Sequence, residues 1–150
     1  MKILFAGSPH SSAEILQHLS KSKSKIVGVI SQPDKRSRRA GAKEPSAVSA
    51  MAAKLELPLF KPNKIDDEFK QVISTIDCDF LVVSAYGKLL PDWLLEHPKI
   101  SPINIHFSLL PKYRGASPIQ SCLLNGDLHT GISIMKMTRG LDEGPVYSST

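Results

Sequence analysis

The stretch KILFAGSPHSSAEILQHLSKSKSKIVGVI, residues 2–30, carries the pattern that decides the fold. Residues 2–6 (KILFA) are a short apolar run closed by Gly7, which predicts a first buried strand. Ser8, Pro9, His10, Ser11 and Ser12 supply turn chemistry and candidate helix caps. Ile15, Leu16 and Leu19 then recur at helical spacing over residues 13–19, and residues 26–30 (IVGVI) predict a second strand. Strand, helix and strand in that order open a doubly wound, mostly parallel sheet. The first turn is not a dinucleotide site. That fingerprint needs three glycines spaced G-x-G-x-x-G, and only Gly7 stands there.

The same alternation continues downstream. Pro45 marks a helix start, and the alanine-rich residues 46–55 predict the helix. Residues 57–60 (LPLF) predict a short strand near a sheet edge, because Pro58 cannot donate to a ladder. Asp66 and Asp67 cap a helix running to Thr75, with Phe69, Val72, Ile73 and Ile76 as its apolar stripe. Residues 80–85 (FLVVSA) are the most hydrophobic run and predict the central strand. A short helix over 92–96 closed by Pro98, a strand over 103–107 and a helix over 118–124 follow. Residues 130–137 (TGISIMKM) alternate apolar and polar, which predicts an antiparallel strand added to the sheet. A glycine-bounded loop over 139–145 leads into a last strand at 146–150.

At 150 residues, 41% apolar and 22% charged, the chain suits one globular domain with a full core. No run of about 18 apolar residues is present, so no membrane span is expected. The opening apolar run is too short for a signal peptide. Cys78 and Cys122 lie in apolar segments without C-x-x-C spacing. They make no disulfide framework and predict a reducing, cytoplasmic setting. The net charge of +5 permits a polyanionic partner without requiring one. The excess is uneven: Lys35, Arg36, Arg38, Arg39 and Lys43 fall within residues 32–44 with no acid between them. Such a stretch is either a solvated loop or an arm that meets a phosphate backbone.

Chemistry concentrates in residues 104–120, NIHFSLLPKYRGASPIQ. Asn104 and His106 are two residues apart at the end of a strand, so both point to one face. A histidine alone there is most simply a satisfied structural residue; its company argues for more. Asp142 lies in the glycine-bounded loop, after a strand that can return beside it. A carboxylate beside an imidazole favours its protonated form and fixes its orientation. Imidazole and carboxamide side by side suit the oxyanion of a carbonyl under attack, and Asp142 can help move protons from an incoming amine. The rivals are weaker. Ser108 lies near His106, but no G-x-S-x-G elbow is present, and both cysteines read as small buried residues. His106, His129 and Asp142 lack metal-ligand spacing. Residues 86–91 leave the C-terminal end of the central strand, where ligands of open α/β sheets bind.

In this order and spacing the motifs resemble those of folate-dependent formyltransferases. The likeness rests on residues 104–120 together with FAGSP at 5–9, SQPD at 31–34, AYGKLLP at 85–91, NGD at 125–127, TGISIMKM at 130–137 and GLDEGPVY at 140–147. It covers nearly the whole chain and implies a Rossmann-like α/β fold with antiparallel strands near the C-terminus. It implies that 10-formyltetrahydrofolate donates a formyl group to the amino group of initiator methionyl-tRNA. The route would be direct attack through an oxyanion-stabilised tetrahedral intermediate, without a metal. Matched residue by residue, the catalytic positions are Asn104, His106 and Asp142. The folate-contacting turn is Ser108, Leu109, Leu110 and Pro111, and Tyr86, Gly87, Leu89 and Leu90 wall the pterin pocket. The tRNA-facing loop is Lys35, Arg36, Arg38, Arg39 and Lys43. A cytoplasmic monomer without membrane contact is expected. Relatives with the same Ser-Leu-Leu-Pro turn use glycinamide ribonucleotide, a sugar-nucleotide amine or water as acceptor, and a non-catalytic RNA- or folate-binding module is a further alternative. Phe107 departs from a usual glycine and His10 from a common aspartate. The family runs on through a longer catalytic domain into a small β-barrel domain that helps hold tRNA. Residues 1–150 are therefore expected to be a catalytic domain truncated at its C-terminal end, without that barrel.

Overall fold

Leu4 and Ala6 pack into one core cluster and Ile3 and Phe5 into another, and all four are buried. A strand buried on both faces must lie inside a sheet covered on both sides. The computed structural model describes residues 1–36 and 42–150 and has that architecture. β1 (Lys2–Gly7), α1 (His10–Ser20) and β2 (Lys25–Ile30) form the expected opening unit, with the two strands parallel. Residues 32–44, expected as one loop, contain instead a two-rung antiparallel ladder of β3 (Lys35–Arg36) and β4 (Lys43–Glu44). Strands of two residues carry no periodicity that a sequence reading can detect.

α2 (Ala47–Lys54) is capped by Ser46, whose hydroxyl oxygen accepts the Ser49 N–H at 3.0 Å, so Pro45 precedes the cap rather than starting the helix. β5 (Leu59–Phe60) lies at the sheet edge, as Pro58 implied. α3 (Asp67–Ser74) is capped by the Asp66 carboxylate, which accepts the Phe69 N–H at 3.2 Å. Asp67 and Glu68 occupy its first turn, where the helix dipole favours acids. β6 (Phe80–Ser84), α4 (Asp92–Leu95), β7 (Ser101–His106), α5 (Pro118–Leu124), β8 (Ser133–Lys136) and β9 (Val146–Ser149) complete the chain.

Among the described residues the seven-stranded sheet has the order β5-β2-β1-β6-β7-β8-β9, which makes β6 its central strand. The strands from β5 to β7 are parallel; β8 runs antiparallel to β7, and β9 antiparallel to β8. One face packs Ile3, Phe5, Val29 and Val82 against Ala13 and Leu16 of α1 and Val48 and Ala52 of α2. The other packs Leu4, Ala6, Leu81 and Val83 against Phe69 and Ile73 of α3 and Leu94 of α4. Strand order reverses between β1 and β6, so the crevice for a ligand opens off their C-terminal ends. Gly7 closes that end tightly: a Cβ there would lie 2.8 Å from the Ser84 carbonyl oxygen and 2.9 Å from Ser12 Cβ. Among the described residues no helix is long and apolar enough to cross a membrane.

Candidate active site

β7 lies between β6 and β8, with Asn104 paired to Val83 and Met135 and His106 paired to Ser133. The loop after β8 carries Asp142 back over the end of β7, with the aspartate in the left-handed region at φ 50°. Its Oδ1 accepts an N–H from Asn104 Nδ2 at 3.2 Å. Its Oδ2 accepts the Gly115 backbone N–H at 2.8 Å and lies 3.6 Å from His106 Nδ1. The three residues read from the sequence therefore converge on one carboxylate. The side chains of His106 and Asp142 are only 6% and 10% exposed, so their interaction is weakly screened.

The other imidazole nitrogen is also engaged. His106 Nε2 lies 2.8 Å from the Tyr113 carbonyl oxygen. A carbonyl only accepts, so the proton sits on Nε2 and Nδ1 faces the carboxylate. A second proton on Nδ1 would satisfy both partners at once. Asn104 carries two N–H donors and gives one to Asp142, which leaves the other for a bound oxygen. The cluster thus combines a negative charge, an imidazole that can carry a proton toward it, and an amide donor. That set can stabilise a developing oxyanion and relay a proton.

The turn after β7 is pinned from β8. Ser133 Oγ, fully buried, donates to the Ser108 carbonyl at 2.7 Å and accepts the Leu110 N–H at 3.0 Å. The Ser108 hydroxyl donates to the Lys112 carbonyl. Leu109 remains 39% exposed, Leu110 is half-buried and Pro111 is exposed. In the loop after β6, Gly87 takes φ 84° and Leu89 is 89% exposed, while Leu90 packs on the core. Tyr86 divides differently from its neighbours: its ring is buried in the core, and its carbonyl accepts Gln32 Nε2 at 2.9 Å and Ser8 Oγ at 3.2 Å. The Tyr86 ring therefore belongs to the core, and only its backbone faces Ser8 and Gln32.

The alternatives lose ground for physical reasons. Burial, with Asp77 and Asp79 beside it, pushes the Cys78 thiol up to about 11, far from a thiolate nucleophile. Cys122 is buried in α5, and Ser108 Oγ is bound to a carbonyl. A recess of about 400 Å³ is lined by Leu109, Lys112, Tyr113, Asp127, His129 and Thr130, and none of the three converging residues lines it. In the basic stretch, Lys35 and Lys43 are exposed on the β3–β4 ladder, which Arg36 joins through its backbone. Arg38 and Arg39 lie outside the described residues. Sequence reasoning missed the Tyr113 carbonyl, the Gly115 N–H and Ser133. Of these only Ser133 left a signal, since it shares the parity of Met135 on an alternating strand.

Comparison with known proteins follows the same lines. A family profile described as formyl transferase matches residues 1–150. The chain is 45% identical over 147 residues to a methionyl-tRNA formyltransferase of Thermotoga maritima, covering 97% of this chain and 47% of that protein. It is 45% identical over 146 residues to the protein of the same name from Mycoplasmopsis pulmonis, covering 97% and 50%. The chain thus spans about half the length of the curated relatives it matches. Among solved structures, a phosphoribosylglycinamide formyltransferase from Bacillus halodurans superposes with a TM-score of 0.78 at 20% identity, covering 100% of this chain and 78% of that one. A formyltetrahydrofolate deformylase from Pseudomonas syringae gives 0.73 at 24% identity, covering 99% and 49%. At such identities the likeness is one of fold.

Proposed function

The chain belongs to the formyl transferase family, and from that premise we propose that it serves the transfer of a formyl group from 10-formyltetrahydrofolate to the amino group of initiator methionyl-tRNA. The observation that carries the reading is the convergence of Asn104 and His106 on the largely enclosed Asp142 carboxylate. The acceptor follows the relatives at 45% identity, which are named methionyl-tRNA formyltransferases. The basic residues Lys35, Arg36, Arg38, Arg39 and Lys43 suit a tRNA backbone.

The donor set fits an N-formyl group. A formamide carbonyl needs a donor aimed at its oxygen, and the second Asn104 N–H supplies it beside the His106 imidazole, whose own nitrogens face the Tyr113 carbonyl and Asp142. Ser108, Leu109, Leu110 and Pro111, with Gly87, Leu89, Leu90 and the Tyr86 backbone, stand for the folate contacts. The formyl donor supplies an acyl carbon already bonded to a nitrogen leaving group. When the amine attacks that carbon, Asn104 and His106 hold the charge that develops on oxygen. Asp142 keeps His106 oriented, and the pair passes the proton lost by the amine toward the departing nitrogen. No covalent bond to the protein forms, so rate comes from positioning and electrostatics. Charge stabilisation and proton movement of this kind need no metal. The same reading places the protein in the cytoplasm as a monomer.

The test is formyl transfer to methionyl-tRNA by His106→Ala and Asp142→Asn. Losing one preorganised donor costs on the order of 100- to 1000-fold in rate. Retention of most of the wild-type rate by either variant would falsify the assignment.

A further inference from the structure

Tyr113 joins the candidate site to the turn after α5. Its backbone is left-handed, at φ 55°, a conformation a non-glycine residue keeps only when its surroundings impose it. Its carbonyl is the acceptor for His106 Nε2 at 2.8 Å. Its phenol donates to Asp127 Oδ2 at 2.9 Å and accepts from Asn125 Nδ2 at 3.3 Å. Lys112 Nζ lies 3.3 Å from the same carboxylate oxygen. The Asn125-Gly126-Asp127 turn is itself tied to α5, since the Gly126 and Asp127 N–H groups donate to the Leu123 and Cys122 carbonyls at 3.1 and 3.2 Å. A path of hydrogen bonds therefore runs from α5 through Asp127 and Tyr113 to the imidazole.

We propose that Asp127 is a positioning residue for His106, acting through the Tyr113 phenol to hold the carbonyl that sets the orientation and tautomer of the imidazole. Without that anchor the Tyr113 phenol keeps only its long bond from Asn125, and its peptide is no longer held firmly in a conformation that is costly for tyrosine. The carbonyl then turns, and the ring loses the bond that keeps the proton on Nε2 and aims Nδ1 at Asp142. A catalytic group must be held within about 0.5 Å and 10–20° to work well. The ionisation of the pair agrees with this geometry. The phenol is raised, first by its bond to Asp127, and the carboxyl is lowered, first by its bond to Tyr113, so donor and acceptor keep their roles through neutral pH.

The inference rests on the formyl-transfer reading only for its kinetic arm. Three variants of the protein are compared: Tyr113→Phe, Asp127→Ala and Asp127→Asn, which keeps an acceptor for the phenol. In ¹⁵N-resolved NMR of the imidazoles, wild type shows His106 with its proton on Nε2. Tyr113→Phe and Asp127→Ala shift or broaden that signal, and Asp127→Asn restores it. In formyl transfer the first two lose about 10- to 100-fold in kcat, with KM for both substrates within about threefold of wild type. The double variant Tyr113→Phe/Asp127→Ala falls no further than either single one, because both remove the same bond. An unchanged His106 spectrum in Tyr113→Phe, additive losses, or an Asp127→Asn as impaired as Asp127→Ala would each overturn the proposal. If wild type transfers no formyl group, the functional reading fails while the NMR arm still decides this one. Should Asp127→Ala not fold, Tyr113→Phe removes a single hydroxyl and carries the same comparison.

Discussion

Tyr86 sets a phenol among Leu4, Ala6, Ile30, Phe69 and Leu94, and its hydroxyl is buried without a hydrogen-bond partner among the described residues. An unsatisfied buried hydroxyl costs about 1–3 kcal/mol. Tyr86→Phe should therefore raise stability by about 1 kcal/mol, read by urea denaturation. Burial also pushes the phenol from its usual 10 up to about 12. The folded state holds this proton more tightly than the unfolded one, so wild-type stability falls as pH rises from 10 to 12. In the phenylalanine variant that part of the slope should vanish. The same residue shows what residue type alone conveys. Tyrosine after the central strand was legible as part of a ligand loop, but the direction of its ring was not. The ring turned inward because the apolar cluster beneath β6 accepts it, while the carbonyl took the polar contacts with Ser8 and Gln32.

At the scale of elements, β8 both extends the sheet and holds the turn that follows β7. Ser133 is the contact that joins the two tasks. Its hydroxyl satisfies the Ser108 carbonyl and the Leu110 N–H in a place closed to water. Ser133→Ala leaves both backbone groups without that partner and should cost about 1–3 kcal/mol in urea denaturation. A loss of a few tenths of a kcal/mol, as for an exposed site, would mean that the turn is held by other contacts. Element types were mostly legible because apolar runs, alternation and caps are local signals. The Asp66 cap, the buried β6 and the half-exposed β8 all follow from such signals, whereas at Ser46 the sequence reads instead as a helix started by Pro45. The β3–β4 ladder was not, since two rungs leave no pattern and depend on the ends of a long connection meeting.

Across the whole molecule, the N-terminal end of the sheet is tied by charge. Asp77, just before β6, pairs with Lys2 of β1 at 2.8 Å and with Lys99, just before β7. Those lysines, Lys2 first, pull its carboxyl from 3.8 down to about 2. A lowered folded value means the stabilisation is present above 3.8 and is lost as pH falls through about 2. Asp77→Asn should thus melt slightly below wild type at neutral pH, and the gap should close between pH 4 and pH 2 in a series of thermal melts. The gap is expected to be small because the pair is half-exposed, and added salt should narrow it. A gap that widened toward pH 2 would contradict this account.

The sequence by itself determined the parallel α/β architecture, the central strand and the edge strand that Pro58 marks, and it singled out Asn104, His106 and Asp142 as candidates. The elements and the Asn104–His106 pair rest on side-chain type and short spacing, which a linear chain records directly, and Asp142 was marked by its glycine-bounded loop. The tertiary structure alone decided how the site is wired. Asp142 reaches Asn104 across 38 residues of chain, and it does so from a left-handed backbone that no glycine announces. The Tyr113 carbonyl and the Gly115 N–H complete the cluster as backbone groups. Every residue but proline carries both groups, so the sequence cannot mark which ones will matter. Their direction depends on φ and ψ at Tyr113 and Gly115, which meet Asp142 and Leu141 in the loop after β8 and Asn125 and Asp127 in the turn after α5.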